Sequence, residues 1–445
     1  MSDSMIVLSM IVWFLVLGYL GVPVAFAIMA SVIWGAVYTG LELSSMTTQL
    51  FNGVNSIPLL AVPFFLLTGE LLSSSAITVR IVNLAQTLVG HIRAGLAHVV
   101  TTFSIFFAGI SGSSTADVAA ISRVVLPTMR SEGYRPANSA ALIAAASTIA
   151  NMIPPSIMAV VYGATGGVSI TALFLAGVVP GLLVGLGLMV YAYFFGFPSA
   201  RRTRASTSEM IAALRGGLLP LGVPVIIMGG ILAGWFTPTE AGMAAVVYTI
   251  VVLVPLMRRG HLRYLHRDFM RAGVVYSLPL MAVAAASAFA YLIAYLQAPQ
   301  IISGWIQAVA GTNPKLIMFL LVLMLVIAGN FLDAIPAIVI FVPIIKALTE
   351  LGDINPVQMG VVAVVTLAFG LITPPYGLSL LMASAFAGVP FSRALLTSLP
   401  IYLIFFAVIS VLVLVPDVAL WLPQHIVPEA TGCFPAPQGG GFICP

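Results

Sequence analysis

The sequence predicts a polytopic, all-α membrane protein, because apolar runs of helical length recur from one end of the 445-residue chain to the other. Hydrophobic residues make up 61% of the chain and charged residues 7%, a composition that excludes a soluble globular domain. A recurring pattern of prolines and small polar residues also predicts two similar halves. The net charge of +4 does not indicate nucleic-acid binding, since the basic residues are scattered through loops beside the predicted spans.

The first half is predicted to hold five membrane spans, one helix in the membrane interface and one hairpin that enters the membrane without crossing it. The spans are residues 5–20, 22–38, 56–72, 137–165, which is broken at 151–156, and 170–195. A loop of residues 40–52 joins the second and third spans. Residues 77–93 are amphipathic and are expected to lie in the interface.

The predicted hairpin, residues 95–129, is centred on the sequence GISGSSTAD at residues 109–117. The apolar runs on either side are well short of the roughly 20 residues that cross a bilayer. Glycines and small hydroxyl residues are poor helix formers. Because exposed backbone at membrane depth is costly unless it is buried in protein or lines a wet cavity, we expect the tip to form a site for an ion and a polar solute.

The second half repeats this plan. Its predicted spans are residues 218–236, 241–256, 277–297, 357–378, which is broken at 373–377, and 395–415. A basic loop at 258–271, an interfacial arm at 299–313 and a second hairpin at 316–346, broken at 329–333, lie between them. A Pro- and Gly-rich tail, residues 424–445, follows the last span.

Matching prolines predict an internal duplication. The pair Pro154-Pro155 recurs 220 residues later as Pro374-Pro375, and Pro136 and Pro180 recur at the same offset. We therefore predict repeats at residues 1–205 and 206–423. Five spans in each half make an odd number, so the two repeats are expected to be inverted in the membrane.

The distribution of basic residues agrees with inverted repeats. If the basic loop 201–215 is cytoplasmic, the predicted spans place 13 of the 17 Lys and Arg residues in four cytoplasmic regions, and only Lys315 and Lys346 outside. Both termini and the tail are then expected in the periplasm. There Cys433 and Cys444 could oxidise, although their spacing alone does not decide whether they pair.

Paired breaks in the helices are typical of secondary transporters with a site near the membrane midplane. At each break one helix ends in unpaired carbonyls, which suit Na⁺, and the next begins with unpaired N–H groups, which suit a carboxylate. Six hydroxyl groups can complete these sites: Ser111, Ser113, Ser114, Thr115, Ser156 and Thr373. The alternative is that the breaks are kinks that serve helix packing only.

Few charged residues lie within the predicted spans. Asp117 and Asp333 are the repeated acids, and each is either an ion-coupling group or a helix N-cap. Thr237 and Glu240 form the pattern of a capping box, which is a structural role. Glu70 is either a solvated interface residue or a proton relay.

Arg123 follows the first tip within the hairpin. It either attracts an anion from the cytoplasmic side or extends to the nearby membrane surface. The five histidines show no metal-ligand spacing, so we expect no metal beyond Na⁺ and no other cofactor.

Several motifs resemble the large membrane subunit of a tripartite ATP-independent periplasmic (TRAP) transporter, the DctM-like family. They are GSSTAD at 112–117, NMIPPS at 151–156, TPTEA at 237–241, Asp333, and ITPPYG at 372–377. The resemblance covers nearly the whole chain. It implies an elevator-type, Na⁺-driven importer of organic acids, such as C4-dicarboxylates, in a bacterial inner membrane. It also implies a small four-helix membrane subunit and a periplasmic binding protein as partners.

The same resemblance implies that the binding sites lie between each hairpin tip and the facing break. The implied Na⁺ ligands are Ser111, Gly112, Ser113, Ser114, Ile153 and Pro154 in the first half, and Gly329, Asp333, Thr373, Pro375 and Gly377 in the second. The implied substrate contacts are Ser113, Thr115, Asn151, Ser156, Asn330 and Thr373.

Three other functions remain as alternatives. The first is a stand-alone Na⁺-coupled anion carrier of related architecture that needs no binding protein. The second is a passive channel. The third, an intramembrane enzyme, is disfavoured because the chain has no H-E-x-x-H motif, no protease-like G-x-G-D motif and no P-loop.

Overall fold

Among the described residues, helices with short connections make up the chain up to the tail, as the sequence predicts. The computed structural model describes residues 2–75, 77–195, 197, 203–435 and 442–443. The first half contains α1 (Asp3–Tyr19), α2 (Val24–Thr39), α3 (Leu43–Val54), α4 (Ala61–Ser74), α5 (Thr78–Val89), α6 (Gly95–Ser111), α7 (Ser114–Val124), α8 (Leu126–Ser131), α9 (Pro136–Ser147), α10 (Ile157–Gly166) and α11 (Ile170–Phe194).

The second half has a related order of helices, with some helices joined or divided differently. It contains α12 (Thr207–Leu232), α13 (Pro238–Tyr248), α14 (Val254–Arg258), α15 (Leu265–Tyr295), α16 (Ala298–Ala310), α17 (Pro314–Phe331), α18 (Ala334–Leu351), α19 (Pro356–Gly370), α20 (Leu378–Ala387), α21 (Phe391–Leu414) and α22 (Asp417–Ile426). Short 3₁₀ segments lie at Pro58–Leu60, Thr148–Asn151, Arg259–Tyr264 and Pro428–Thr431, and one π segment at Thr249–Leu253. Two-residue strands, β1 (Phe434–Pro435) and β2 (Phe442–Ile443), pair antiparallel in the tail.

Helix bounds in the two halves recur at a near-constant offset. Helices α5, α6, α9, α10 and α11 begin at residues 78, 95, 136, 157 and 170, and α16, α17, α19, α20 and α21 begin at 298, 314, 356, 378 and 391. The offset between partners is therefore 219 to 221 residues. The bent pair of α3 and α4 has the continuous helix α15 at the corresponding position.

Several helices are long enough to cross a bilayer. By length and composition, six helices among the described residues qualify, or seven if α3 and α4, bent by 59°, count as one span. One of the six is the continuous run Pro238–Tyr295, which contains two predicted spans. The broken spans contribute α9, α10, α19 and α20, of 10 to 15 residues each, which are too short to cross singly. The total of ten spans stays a prediction.

The predicted loop at residues 40–52 is wrong, because most of it belongs to α3. This helix packs against α15 at Gly53, where an added Cβ would lie 2.7 Å from Ser287 Oγ. The segment is amphipathic and carries few strongly apolar residues, so its helical state depends on that neighbour. Local composition therefore predicts a loop, whereas packing against α15 stabilises a helix.

The predicted basic loop 258–271 is also wrong in its second part, since α15 begins at Leu265. Asp268 lies in the first turn, where a carboxylate stabilises the helix N terminus. It is buried, and its Oδ2 lies 2.7 Å from Nε2 of His261. Helix α22, which was not predicted, begins at Asp417 between the last predicted span and the tail, and only its last three residues lie in the predicted tail. Cys444 lies outside the described residues, and with it any pairing with Cys433.

The two hairpins and the two broken spans interlock. Within each half, the first hairpin helix contacts the first part of the broken span, as α6 contacts α9 and α17 contacts α19. Between the halves, the second hairpin helix contacts the second part of the other broken span, as α7 contacts α20 and α18 contacts α10. The four interrupted segments therefore form one packed unit.

Thr237 and Glu240 form a capping box at the start of α13. The Glu240 amide donates to Thr237 Oγ1 at 3.4 Å, and the Thr237 amide donates to Glu240 Oε2 at 2.8 Å. Replacing Glu240 with Ala should lower the melting temperature in detergent, because the Thr237 amide loses its acceptor. Glu350→Ala, which removes an exposed acid from the last turn of α18, is the matched control and should cause no such loss. A changed Na⁺ dependence of uptake in Glu240→Ala would contradict a purely structural role.

Candidate functional site at the hairpin tips and helix breaks

The first hairpin tip is a sharp change of direction between α6 and α7. Helix α6 ends at Ser111, and Gly112 adopts the left-handed conformation with φ 59° and ψ 14°. Ser113 then caps α7, its Oγ accepting from the Ala116 amide at 3.5 Å. The hydroxyl oxygens of Ser113 and Thr115 lie 3.0 Å apart. Glycine is required here because the left-handed region is unfavourable for other residues, so the tip sequence itself produces the turn.

The first break is held by a side chain at the start of α10. Ser156 caps this helix, its Oγ accepting from the Ala159 amide at 3.1 Å. The same hydroxyl donates to the carbonyl oxygen of Asn151. One serine therefore joins both ends of the segment that contains Pro154 and Pro155, which leaves the break ordered in the absence of regular helical bonds.

The first tip and the first break are in direct contact. The Ile157 amide donates to the carbonyl oxygen of Gly112 at 3.3 Å. A side chain at position 112 would collide with the carbonyl oxygen of Pro155. Gly112 is thus required twice, once for its backbone conformation and once for the close approach of the break.

Most predicted site residues around the first tip are buried. Ser111, Ser113, Ser114, Asn151 and Ser156 are at most 9% exposed. Gly112 and Pro154 are also buried, and Thr115 and Ile153 are partly buried. This part of the site is therefore a set of hydroxyl and carbonyl oxygens shielded from bulk solvent.

Asp117 is the charged residue beside this oxygen-rich set. It is fully buried, and the hydroxyl of Ser104 interacts with its carboxylate without a hydrogen bond of regular geometry. The amide nitrogen Nδ2 of Asn151 has no hydrogen-bond partner among the described residues. An unpaired buried carboxylate is costly unless a proton or a cation compensates it.

The N-cap interpretation of Asp117 is wrong, because Ser113 caps α7 and Asp117 lies one turn further along. Asp117 is not among the predicted ligands, although one signal in the sequence points to it. It is the single acid that closely follows the first tip in an apolar segment. For Asp333 the N-cap interpretation is confirmed, since its Oδ1 accepts from the Ala334 amide at 2.8 Å at the start of α18.

The second tip contacts the second break through a side-chain amide. Thr373 Oγ1 donates to Asn330 Oδ1 at 2.7 Å and also lies 3.0 Å from the carbonyl oxygen of Gly370. The Tyr376 amide donates to the carbonyl oxygen of Asn330 at 3.1 Å. This backbone bond corresponds to that from Ile157 to Gly112 in the first half, so each tip carbonyl accepts from an amide just after a double proline.

Two glycines allow α17 and α19 to approach closely beside the second tip. An added Cβ on Gly370 would lie 3.0 Å from Cα and from the carbonyl oxygen of Gly329. After the break, Gly377 adopts a left-handed conformation with φ 44° at the start of α20. Tyr402 of α21 donates to the carbonyl oxygen of Ile372 at 2.7 Å, which fixes the end of the preceding segment.

The predicted residues of the second site differ in accessibility. Gly329, Thr373 and Gly377 are buried, Asn330 and Asp333 are partly buried, and Pro375 is exposed. The second site is thus built on one hydroxyl and one amide, whereas the first is built on several hydroxyls.

The chemistry of both sites is that of neutral oxygen ligands. Carbonyl, hydroxyl and amide oxygens suit hard cations. Within the described part of the chain, no group of three or more His, Cys, Asp or Glu side chains is placed to hold a metal ion. The N termini of α7, α10, α18 and α20 lie at the tips and breaks and supply positive dipole ends for an anion.

Comparison with known proteins shows clear relatives. The model of the family "Tripartite ATP-independent periplasmic transporter, DctM component" matches residues 11–418. The chain is 34% identical over 413 residues to the sialic acid TRAP transporter large permease protein SiaM of Vibrio cholerae, covering 91% of this chain and 96% of the relative. It is 37% identical over 390 residues to the C4-dicarboxylate TRAP transporter large permease protein DctM of Pseudomonas aeruginosa, covering 86% and 90%.

Among solved structures, the crystal structure of the Alcanivorax borkumensis YdaH transporter is similar, with a TM-score of 0.54 over 88% of this chain and 89% of that chain. The sequence identity is 16%, so this likeness concerns the fold alone.

Proposed function

Because the chain belongs to the DctM component family of tripartite ATP-independent periplasmic transporters, we propose that it is the translocation subunit of a Na⁺-coupled importer of small organic acids. The family consists of transporter permease subunits, so the protein is a multi-pass inner-membrane transporter component and not an enzyme. The proposal concerns the coupling ion, the substrate class, the mechanism and the partners.

The observation that carries the proposal is the pair of matched contacts between tip and break. In each half, an amide after a double proline donates to a tip carbonyl, from Ile157 to Gly112 and from Tyr376 to Asn330. Each contact is surrounded by neutral oxygens. We assign one Na⁺ to each contact, because such oxygens suit a hard monovalent cation. Asp117 supplies the charge that compensates the cation in the first half.

The proposed substrate class rests on the N termini of the helices that follow each tip and each break. Four helix N termini at the tips and breaks offer N–H groups and positive dipole ends, which favour a carboxylate. The two relatives described above are named for sialic acid and for C4-dicarboxylates, which both carry carboxylates. In this proposal Thr115 and Asn151 bind the remaining polar groups of such a substrate, while Ser156, whose hydroxyl bonds within the break, holds the break beside them.

An elevator motion is the mechanism that suits the packing. The interlocked unit of α6–α10 and α17–α20 slides, in this proposal, against a scaffold of α1–α4 and α12–α15. A small cavity of about 20 Å³ lies between them. It is lined by Ile157, Val161 and Ile335 of the unit and by Leu59, Val62, Tyr276, Pro279, Leu280 and Val283 of the scaffold. At this cavity the facing side chains are mostly apolar, so they form few hydrogen bonds that would oppose sliding there.

In this proposal the two repeats, residues 1–205 and 206–423, each contribute one hairpin and one broken span to the moving unit. The recurring helix bounds and the interlock of α7 with α20 and of α10 with α18 support the proposal. Each Na⁺ that moves inward down a potential of 100 mV contributes about 2.3 kcal/mol to accumulation.

The decisive experiment is Na⁺-gradient-driven uptake of organic acids in proteoliposomes. The chain is reconstituted with the neighbouring small membrane subunit, with and without the cognate periplasmic binding protein. Uptake that needs both Na⁺ and the binding protein is expected. Uptake with Na⁺ alone would favour the stand-alone carrier, and uptake insensitive to the direction of the Na⁺ gradient would favour a channel.

The first Na⁺ site is tested by Ser113→Ala combined with Ser114→Ala. We expect the Na⁺ concentration for half-maximal uptake to rise about tenfold, since loss of a buried polar ligand costs about 1–3 kcal/mol. Because Ser113 also caps α7, the melting temperature and the single variant Ser114→Ala are measured alongside.

The matched control is Ser384→Ala. This buried hydroxyl donates at 2.8 Å to the carbonyl oxygen of Leu381, three residues earlier in its own helix. Unchanged Na⁺ activation in the Ser113/Ser114 variant would remove the first tip from the ion site.

A further inference from the structure

A second cavity, lined by two arginines, lies away from the tips and breaks. It has a volume of about 260 Å³ and is lined by Ser75, Ile77, Val79, Arg80, Met257 and Arg258. These residues belong to the turn between α4 and α5 and to the end of α14. The proposed transport mechanism uses none of them, so the cavity needs an explanation of its own.

Two arginines, Arg80 and Arg258, line this cavity without an acidic partner among the described residues. Arg258 Nη1 donates to the carbonyl oxygen of Ser75 at 3.4 Å. Among the described residues, no carboxylate lies within 4.0 Å of Arg80 or Arg258. Two like charges across one cavity repel each other unless an anion lies between them. The cavity therefore has the electrostatics of an anion site.

The rest of the lining is apolar and continues onto the outer surface. Ile77 and Met257 form part of the wall. Val79 is 37% exposed, and Leu256, next to the cavity, is 69% exposed. A small inorganic anion gains nothing from this apolar rim. A phospholipid uses both parts, since its phosphate meets the arginines while its acyl chains cover the rim.

The position along the chain agrees with a lipid headgroup. Arg258 is the first residue of the basic segment 258–271, directly after the apolar helices α13 and α14. Basic pockets at the cytoplasmic ends of membrane helices bind anionic headgroups. Guanidinium groups are suited to phosphate because they form paired hydrogen bonds with its oxygens. The cavity is also smaller than the 300–1,000 Å³ or so of a pocket for a drug-sized ligand.

We propose that Arg80 and Arg258 bind the headgroup phosphate of an anionic membrane phospholipid. The bound phosphate bridges α5, which leads into the first hairpin, and α14 of the second half. The lipid thus holds the start of α5 against α14 at the predicted cytoplasmic side of the protein.

The test is a titration of the full-length chain in detergent with phosphatidylglycerol, followed by native mass spectrometry. The variant Arg80→Gln with Arg258→Gln should bind the lipid at least about tenfold more weakly, since each basic residue near an anionic lipid contributes about a factor of five. The control Arg259→Gln with Arg263→Gln removes the same charge from the same basic region outside the cavity, and should bind as the wild type does. Arg80→Lys with Arg258→Lys keeps the charge and should lose only part of the affinity.

A second arm separates a lipid from a free anion. Inorganic phosphate is titrated into delipidated protein, and the melting temperature is followed. Equal lipid binding by the Arg80/Arg258 and control double variants would overturn the proposal. Stabilisation by phosphate at millimolar concentration, with lipid binding unaffected by the Arg80/Arg258 variant, would assign the cavity to a free anion and also overturn it. Melting temperatures of each single variant show whether any loss of binding reflects misfolding.

Discussion

Replacing Gly112 with Ala is expected to reduce Na⁺-driven uptake at least about tenfold and to destabilise the protein by about 2–5 kcal/mol. The new Cβ would collide with the carbonyl oxygen of Pro155 and lie 3.3 Å from the Ile157 amide nitrogen. It would also have to adopt a φ of 59°, which is unfavourable for alanine. The tip and the break must separate, so the oxygens assigned to the first Na⁺ no longer converge. Proteoliposome uptake and thermal unfolding in detergent measure the two effects.

Gly133→Ala is the control for Gly112→Ala. Gly133 has a φ of 80°, and an added Cβ would meet nothing within 4 Å. This variant therefore carries the backbone cost of about 1–2 kcal/mol without the collision, and uptake should be unchanged. If Gly112→Ala transports as well as Gly133→Ala, with the same Na⁺ dependence, the contact between tip and break has no role in transport.

Replacing Thr373 with Val is expected to raise the Na⁺ concentration for half-maximal uptake about tenfold, since loss of a buried hydrogen-bonding group costs about 1–3 kcal/mol. Valine keeps the shape of the side chain and removes the hydroxyl that donates to Asn330 Oδ1 at 2.7 Å. That bond links the second break to the second tip. We also expect lower cooperativity for Na⁺, because one of the two proposed sites is weakened while the first stays intact.

Thr366→Val, in the helix that leads into the second break, is the matched control. Thr366 is fully buried, and its hydroxyl donates at 2.7 Å to the carbonyl oxygen of Val362 within α19. It should leave the Na⁺ activation curve unchanged. A normal curve with full cooperativity in Thr373→Val would argue against a second Na⁺ site at residues 329–333 and 373–377.

The two variants report on different links in the proposed mechanism. Gly112→Ala breaks a contact between backbones, so it acts on both folding and transport. Thr373→Val removes a single oxygen, so it acts mainly on ion affinity. If only the first variant impairs uptake, the tips serve packing, which is the alternative that treats the breaks as kinks.

The helices and the positions of their main interruptions could be predicted from short stretches of sequence. Apolar run length predicted the helices, and glycine with serine at the first tip predicted the turn between α6 and α7. The capping box at Thr237 and Glu240 needs only four consecutive residues, so it was visible in the sequence. The recurring double proline predicted where the broken spans are interrupted. Each of these signals acts within a few residues along the chain, and the sequence contains it in full.

Contacts between distant residues were decided by the tertiary structure. Helix α3 forms because it packs on α15, and no local residue pattern predicts that contact. Three features involve segments that lie tens to hundreds of residues apart. They are the burial of Asp117, the approach of Pro155 to Gly112, and the two arginines at one cavity. Such pairings depend on how whole helices pack, which is a sum over many weak contacts. The sequence by itself thus determined that the chain has helices with paired breaks, and packing decided which groups meet at them.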